Sequence, residues 1–267
     1  MKKISFSSFD LKVIALGLMT LDHIYYFLQG ILPIPMWFTW LGRISAPLFI
    51  FMVAYGMSYT HNRKRYLTRL YIAGVLMYFA NNLVNTFIPH PNGAMAINGM
   101  FQTMFLIGFY ICGIEKLKTK ERKNRLIGLS MIILPVLISV VLLEALTSEL
   151  SLPVLVALNV ANAFLPSPLF VEGSFMMILL GVGMYFLKEN RVKFAVFYLL
   201  VCLVFLLSIG SFTYENLFML NYQWMMVFAL PLMLLYNGKQ GLKMKYFFYL
   251  YYPLHVYALV IAARLLV

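Results

Sequence analysis

The stretch that decides the fold class is residues 9–28, FDLKVIALGLMTLDHIYYFL. A helix of about 20 apolar residues has the length needed to cross the hydrocarbon core of a bilayer. The basic tip before it is typical of a secretory signal peptide. However, no small-x-small cleavage site follows, and Asp22 and His23 interrupt the apolar run. Residues 9–28 are therefore predicted to be a retained first membrane span.

The composition of the whole chain points the same way. Of the 267 residues, 63% are hydrophobic and 11% are charged, whereas a soluble domain carries about 25% charged residues. Too few polar side chains remain to cover a water-facing exterior. The net charge of +12 would suit a nucleic-acid-binding protein. Lys and Arg also accumulate in the cytoplasmic loops of membrane proteins, so the predicted partner is the lipid bilayer and no nucleic acid.

Hydropathy and polar breaks predict one integral membrane domain over residues 1–267, with nine spans. The spans are residues 9–28, 37–60, 67–88, 97–116, 126–146, 169–187, 193–210, 219–236 and 246–266. With the N-terminus inside, 19 of the 21 Lys and Arg residues, beginning with Lys2 and Lys3, fall in inside segments. Outside loops hold none, since Arg43 lies within a span and Arg264 at the outer C-terminus. The predicted class is an all-α polytopic bundle of a bacterial plasma (inner) membrane, N-terminus in and C-terminus out.

Residues 150–166 do not fit this scheme as a tenth span. Counting them would invert every later loop and place Lys188, Arg191 and Lys193 outside. Their prolines, with Asn159 and Asn162, favour a short interfacial or re-entrant helix, which is tolerated at depth only against protein or a wet cavity.

Four ionisable residues inside the predicted spans are candidate site residues: Asp22, His23, Arg43 and His255. Each costs a few kcal/mol inside a bilayer and so needs a partner or a purpose. At about 1.5 Å per residue, Asp22 lies roughly 20 Å from the cytoplasmic edge, and Arg43 roughly 9 Å below the outer edge. These two depths nearly coincide, and His255 comes out nearer the midplane.

Arg43 is the predicted partner of Asp22. The small residues beside it, Gly42, Ser45 and Ala46, would let the first two spans approach closely. The alternative interpretation is that this ion pair only holds two helices together.

His23 points about 100° away from its neighbour Asp22 on the helix, so the two cannot pair. His23 is therefore expected to face a cavity, where a neutral imidazole could act as a general base toward an amine or hydroxyl acceptor. The alternative is a hydrogen bond to the backbone. His255 follows Pro253 in YLYYPLH, so it and Tyr252 would line a cavity at a kinked helix, although packing alone would explain the tyrosines.

A second polar cluster is predicted where the third span ends and the fourth begins: Asn81, Asn82, Asn85, His90, Asn98 and Gln102. Asn82, Asn98, Gln102 and Glu172 are candidates for an acceptor pocket, or else form the solvated end of a bundle. His90 lies in the turn IPHPNGAM and is predicted to be exposed.

Several kinds of site are missing from the sequence. It has no phosphate-binding loop of the G-x-x-x-x-G-K-S/T type and no G-x-S-x-G nucleophile elbow. Cys112 and Cys202 lie in apolar runs without metal-ligand spacing, and no other metal-ligand cluster is present. A nucleotide-hydrolysing pump, a serine hydrolase and a metal cofactor are therefore not expected.

Three motifs resemble the TraX family, membrane proteins linked to acetylation of conjugative pilin. They are LKVIALGLMTLDHI at 11–24, GRISAPLFIFMVAYGMSYTHNRKRYLTRL at 42–70 and YYPLH at 251–255. They cover about the first quarter of the chain and its last helix. The TraX family is related to the wider group of transmembrane acyltransferases that includes heparan-alpha-glucosaminide N-acetyltransferase.

The resemblance implies acetyl-CoA as a donor substrate reached from the cytoplasm, and an extracytoplasmic acceptor such as a pilin, a peptide or a glycan. It makes His23 the catalytic imidazole, supported by Asp22 and Arg43, with His255 lining the site. The basic segment carrying Arg63, Arg65 and Arg69 would attract the donor's phosphates, although positive-inside sorting also explains it.

Two other functions fit the same residues. A secondary transporter or exporter would also have intramembrane charges and broken helices, but the odd span count and the lack of a visible repeat speak against it. A non-catalytic assembly factor for a surface appendage would use the charges structurally.

Overall fold

The computed structural model describes residues 4–267, without the side chains of Leu152 and Lys245. Lys2 and Lys3, two of the predicted inside charges, lie outside this range. Residues 4–267 form helices and their connections, with no strand among them, which confirms the all-α part of the predicted class. The α-helices are α1 (Ser8–Leu28), α2 (Trp37–Gly42), α3 (Ser45–Tyr59), α4 (Arg63–Phe87), α5 (Met100–Leu117), α6 (Arg122–Thr147), α7 (Leu152–Phe164), α8 (Ser174–Leu187), α9 (Arg191–Leu207), α10 (Ala229–Leu234) and α11 (Lys245–Leu265).

The predicted helix over residues 219–236 is interrupted instead of continuous. That region contains a π-helix (Glu215–Leu220), a 3₁₀-helix (Gln223–Phe228) and the short α10. Two indole N–H groups donate to carbonyls there that would accept backbone N–H groups in a continuous helix. Trp40 donates to Phe218 O at 2.8 Å, and Trp224 donates to Leu217 O at 3.0 Å. Side-chain donors therefore replace part of the helical ladder.

Residues 150–166 contain a short helix, as predicted. Pro153 lies in the first turn of α7, where its missing N–H breaks no helical hydrogen bond. Asn159 Nδ2 donates back to Leu155 O at 3.2 Å within the same helix.

Five stretches of the described residues are long and apolar enough to cross a membrane: Ser8–Leu28, Trp37–Tyr59, Met100–Leu117, Arg122–Thr147 and Tyr246–Leu265. The 25 residues of α4 would extend about 37 Å, but its start is basic and its end is rich in Asn. The helices α8 and α9 are shorter, with 14 and 17 residues.

The chain divides into two compact units. Unit one comprises the residues up to Met52, Asn82–Ala96 and Phe186–Val267, and unit two comprises Val53–Asn81 and Ile97–Tyr185. In unit one, α1 packs against both α2 and α11. In unit two, α5 packs against α6, where a Cβ at Gly128 would lie 2.5 Å from Gly113 O.

The contacts of α1 set the directions of its two neighbours. Ala15 and Asp22 of α1 contact Ser45 and Gly42 respectively, so the chain from α2 into α3 runs antiparallel to α1. The partners on α11, in contrast, follow the same order as the residues of α1 that they contact. Thr20 contacts Tyr251, His23 contacts His255, and Phe27 packs with Val256 and Val260, so α1 and α11 are parallel.

Candidate functional site

Asp22 lies on the face of α1 that meets α2. Arg43 Nη2 lies 2.5 Å from each carboxylate oxygen, and Thr39 Oγ1 donates to Oδ1 at 2.5 Å. The charged side chains are mostly withdrawn from solvent, with exposures of 26% for Arg43 and 19% for Asp22. The predicted contact between these two residues is confirmed.

The guanidinium of Arg43 has further contacts that fix its orientation. Its Nε donates to Thr39 O at 3.3 Å, and its Nη1 donates to Gln223 Oε1 at 3.4 Å. The ring of Tyr222 lies 5.4 Å from its central carbon, within cation–π range. Because these groups also come from the chain around the 3₁₀-helix, Arg43 joins that segment to α1 and α2.

Gly42 explains how the two helices come close enough for this ion pair. A Cβ at this position would lie 2.6 Å from Asp22 Cγ and 2.7 Å from Oδ1, so only glycine fits. Further along the same interface, Ser45 Oγ donates to Ala15 O at 2.7 Å. The prediction that small residues permit the approach is confirmed at both positions.

His23 lies on the face of α1 that meets α11. Its side chain is buried, and its Nδ1 lies 2.6 Å from Nε2 of His255. The two ring centroids are 4.9 Å apart with an interplanar angle of 22°. The angle of about 100° between adjacent helical residues accounts for this, because Asp22 faces α2 while His23 faces α11.

His255 is held by the preceding turn of its own helix. Its Nδ1 lies 2.8 Å from Tyr251 O, and the Tyr251 ring stacks on the imidazole at 5.0 Å and 16°. The Tyr251 hydroxyl lies 2.8 Å from Thr20 Oγ1 on α1. Tyr252, a predicted lining residue, is buried, with its ring 6.1 Å from that of His255.

His90 is buried, so the prediction of an exposed loop residue is wrong. Its Nε2 lies 2.6 Å from Phe27 O, and its Nδ1 accepts the backbone N–H of Asn92 at 3.2 Å. Phe27 is in the last turn of α1, where carbonyls have no partner within the helix. His90 therefore caps α1. Asn82, by contrast, is exposed on α4.

The other predicted pocket residues, Asn98, Gln102 and Glu172, lie in unit two and form hydrogen bonds within that unit. Gln102 is buried and donates to Ala163 O at 3.2 Å. A carboxylate oxygen of Glu172 accepts the N–H of Gly99 at 2.7 Å, at the start of α5, where the helix dipole favours an anion. The backbone carbonyl of Asn98 accepts a side-chain amide from α4 at 2.8 Å.

The three basic residues predicted to bind the donor differ in their surroundings. Arg63 forms an ion pair with Glu115 and donates to Tyr185 OH at 3.0 Å. That hydroxyl in turn lies 2.5 Å from Glu115 Oε1, so the three side chains close a ring of polar contacts. Arg65 is exposed to solvent, and Arg69 is half-buried.

Comparison with known proteins places the chain in a family. The TraX family, described as TraX protein, matches residues 7–263. The chain belongs to the TraX family. A relative from Dichelobacter nodosus, named "Probable fimbrial assembly protein FimC, serogroup H1", is 26% identical over 276 residues, covering 99% of this chain and 98% of the relative. No solved structure matches the chain.

Sequence reasoning missed several residues of this TraX-family site. Gln223 is uncharged and lies 180 residues from Arg43, and no pattern in the sequence pointed to it. Thr39 precedes Arg43 by four residues in a predicted span, which places the two side chains on one helix face. Tyr251 did carry a signal. It precedes His255 by four residues in a predicted helix, which places its carbonyl within reach of the imidazole.

Proposed function

We propose that this TraX-family protein is a membrane-embedded acyltransferase of the bacterial plasma (inner) membrane. It transfers an acetyl group from acetyl-CoA in the cytoplasm to an amine or hydroxyl on an extracytoplasmic acceptor, such as a pilin, a peptide N-terminus or a glycan. The observation that carries the proposal is the buried pair of imidazoles, His23 and His255, one helical position from the ion pair of Asp22 and Arg43.

His23 is the catalytic base in this reaction. The acceptor nitrogen or oxygen forms a bond to the acetyl carbon, and the carbon–sulfur bond of the donor breaks. The proton that the acceptor loses passes to His23 and then to the departing thiolate, which leaves as the thiol of coenzyme A. A positioned base of this kind contributes about 10²–10⁴-fold to the rate. Asp22 and Arg43 neutralise each other beside the imidazole and hold α1 against α2.

The proposed topology has nine spans, with the N-terminus in and the C-terminus out. The parallel packing of α1 and α11 supports an odd number of crossings, because two parallel spans start on the same side of the membrane. The contact of His90 with Phe27 supports α4 as one of the spans, since it brings the loop after α4 to the C-terminal end of α1. The predicted accumulation of Lys and Arg in the inside segments supports the orientation with the N-terminus in.

Both substrates need binding groups. Arg63, Arg65 and Arg69 are proposed to attract the phosphates of the donor, and Arg65 has the exposure that this role requires. The acceptor is proposed to contact His255, Tyr252, Asn82, Asn98, Gln102 and Glu172. These assignments extend the proposal and are not needed for the role of His23.

Transfer is tested with purified protein in liposomes, acetyl-CoA labelled in the acetyl group and an envelope fraction as acceptor. We expect label to move to the acceptor and His23→Ala to lower the rate at least 100-fold. The matched control is His61→Ala, because His61 is exposed near the start of α4. Transfer by His23→Ala at the wild-type rate would remove His23 from the mechanism.

A second candidate is a non-catalytic assembly factor, which the name of the Dichelobacter nodosus relative favours. The two candidates differ in the effect of His23→Ala in cells that make a surface appendage. If the protein is an acyltransferase, the His23→Ala variant inserts correctly into the membrane but leaves the acceptor unacetylated. If the protein is an assembly factor whose polar groups are only structural, the variant still supports assembly of the appendage, provided that its fold is kept.

A further inference from the structure

The hydrogen bonds around His255 determine which of its nitrogens carries the proton. Nδ1 of His255 lies 2.8 Å from the carbonyl oxygen of Tyr251. A carbonyl oxygen can only accept, so Nδ1 must donate, and in a neutral imidazole the other nitrogen is then an acceptor. Nε2 of His255 therefore presents a lone pair toward α1.

That lone pair fixes the protonation of His23 in turn. Nδ1 of His23 lies 2.6 Å from Nε2 of His255, and since the latter accepts, Nδ1 of His23 donates. The lone pair of the neutral His23 ring is consequently on Nε2, the nitrogen on the far side of the ring. The three groups form a directed chain from His23 through His255 to the Tyr251 carbonyl.

A second contact between α1 and α11 fixes the register of this chain of hydrogen bonds. Thr20 Oγ1 donates to Leu16 O at 2.8 Å, so its oxygen accepts the hydroxyl proton of Tyr251. This bond lies one turn before the imidazole pair on both helices. The carbonyl that orients His255 and the hydroxyl that joins α11 to α1 belong to the same residue, Tyr251, which fixes both imidazoles relative to each other.

We infer that His255 is the positioning residue of the reaction, which holds His23 in the tautomer whose Nε2 takes the proton from the acceptor. This inference rests on the proposed function and gives His255 a role other than lining the acceptor site. When Nε2 of His23 gains its proton, the bond from Nδ1 to His255 stabilises the resulting imidazolium. The arrangement uses a neutral imidazole where serine proteases use a carboxylate to orient the catalytic histidine.

The test uses two substitutions with opposite hydrogen-bonding capacity. His255→Phe fills a similar volume without an acceptor, and we expect kcat to fall by up to about 10⁴-fold, the loss seen when the catalytic histidine of a serine protease is held in the wrong tautomer. The KM for acetyl-CoA should change little. His255→Gln places an amide oxygen where it can accept from Nδ1 of His23, and should recover part of the rate. His61→Phe is the control. Equal rates for the Phe and Gln variants, or a wild-type rate for His255→Phe, would overturn the inference while leaving the proposed function intact.

A spectroscopic readout tests the tautomer without any substrate. The chain has four histidines, so ¹⁵N labelling of histidine gives four imidazole spin systems that single variants assign. We expect His23 in the wild type to be protonated at Nδ1, and to shift toward the Nε2-protonated form in His255→Phe. A wild-type His23 protonated at Nε2 would refute the inference. If the tautomer is as expected but the wild type transfers no acetyl group, the proposed function fails and the orienting contact stands.

Discussion

Gly42→Ala tests whether the close approach of α1 and α2 builds the site. The added Cβ would lie 2.6 Å from Asp22 Cγ and closer still to Asp22 Cβ, whereas real Cβ atoms essentially never come within 3.0 Å of another heavy atom. Asp22 Cβ is attached directly to the backbone of α1 and cannot rotate away. The two helices must therefore separate, which also pulls the carboxylate from Arg43 and Thr39.

The expected cost follows from two opposing effects. Overpacking a tight interface costs about 1–3 kcal/mol, and a contact with a fixed atom lies at the upper end. Ala in place of Gly in a helix returns up to about 1 kcal/mol, which leaves a net loss of about 2 kcal/mol. Gly17→Ala on α1 is the matched control, since a Cβ there meets nothing within 4 Å and the variant only gains helix propensity.

Thermal unfolding in detergent, followed with a thiol-reactive dye, gives the comparison directly. Cys202 is buried and reports on unfolding, whereas Cys112 is half-buried and reacts earlier. For a chain of this size, 1 kcal/mol corresponds to roughly 2–4 °C in Tm, so Gly42→Ala should fall about 4–8 °C below wild type. Equal Tm values for Gly42→Ala and Gly17→Ala would refute the packing argument. Loss of acetyl transfer by Gly42→Ala beyond its loss of folded protein would link the same contact to function.

The remaining predictions concern His90 and the segment proposed to bind the donor. His90→Leu leaves the buried carbonyl of Phe27 without its donor, so we expect a loss of about 1–3 kcal/mol in stability and faster proteolysis of the following loop; unchanged proteolysis would contradict the capping role. Arg65→Gln should raise KM for acetyl-CoA without changing Tm, because Arg65 is exposed. Arg63→Gln should lower Tm, because Glu115 loses its cationic partner and keeps the contact with Tyr185. A raised KM for acetyl-CoA with an unchanged Tm in this variant would instead indicate that Arg63 binds the donor.

The contact between α1 and α2 could be predicted because it depends on quantities that a sequence contains. The short connection forces the two helices to run antiparallel, and counting residues from each end places Asp22 and Arg43 at one depth. Small residues beside Arg43 then allow the approach. Each step is local to about 35 residues, so errors in helix ends had little room to accumulate.

The partner of His23 could not be predicted, because the register between distant helices is not a property of either sequence. Depth counting assumes that every span starts at the same level. In the structure, Thr20 is 12 residues into α1 and its partner Tyr251 is six residues into α11, so α11 starts about six residues, or roughly 9 Å, further along the direction of α1. That offset brings His255 level with His23 instead of leaving it nearer the midplane.

His90 was misread for a different reason. Turn residues are usually solvated, and the surrounding IPHPNGAM has the composition of a turn. The last carbonyls of α1 nevertheless have no partner within the helix and require donors. Counting the unsatisfied groups at each helix end would have indicated that some loop side chain must be buried there, without identifying which.

The ion pair of Asp22 and Arg43 is a costly way to join two helices in a membrane. Insertion scales assign up to about 2.5–3.5 kcal/mol to a charged residue within a span, the full value applying at its centre. Hydrogen bonds between helices in a membrane return on average only about 0.6 kcal/mol each. Asp22 accepts three such bonds, from Thr39 and Arg43, which return roughly 2 kcal/mol by that measure. An apolar pair packed on Gly42 would join the same two helices at lower cost, since replacing buried ion pairs by apolar residues is often neutral or stabilising. The proposed chemistry at His23 would account for two charges kept beside a pair of buried imidazoles, which the stability of the bundle does not require.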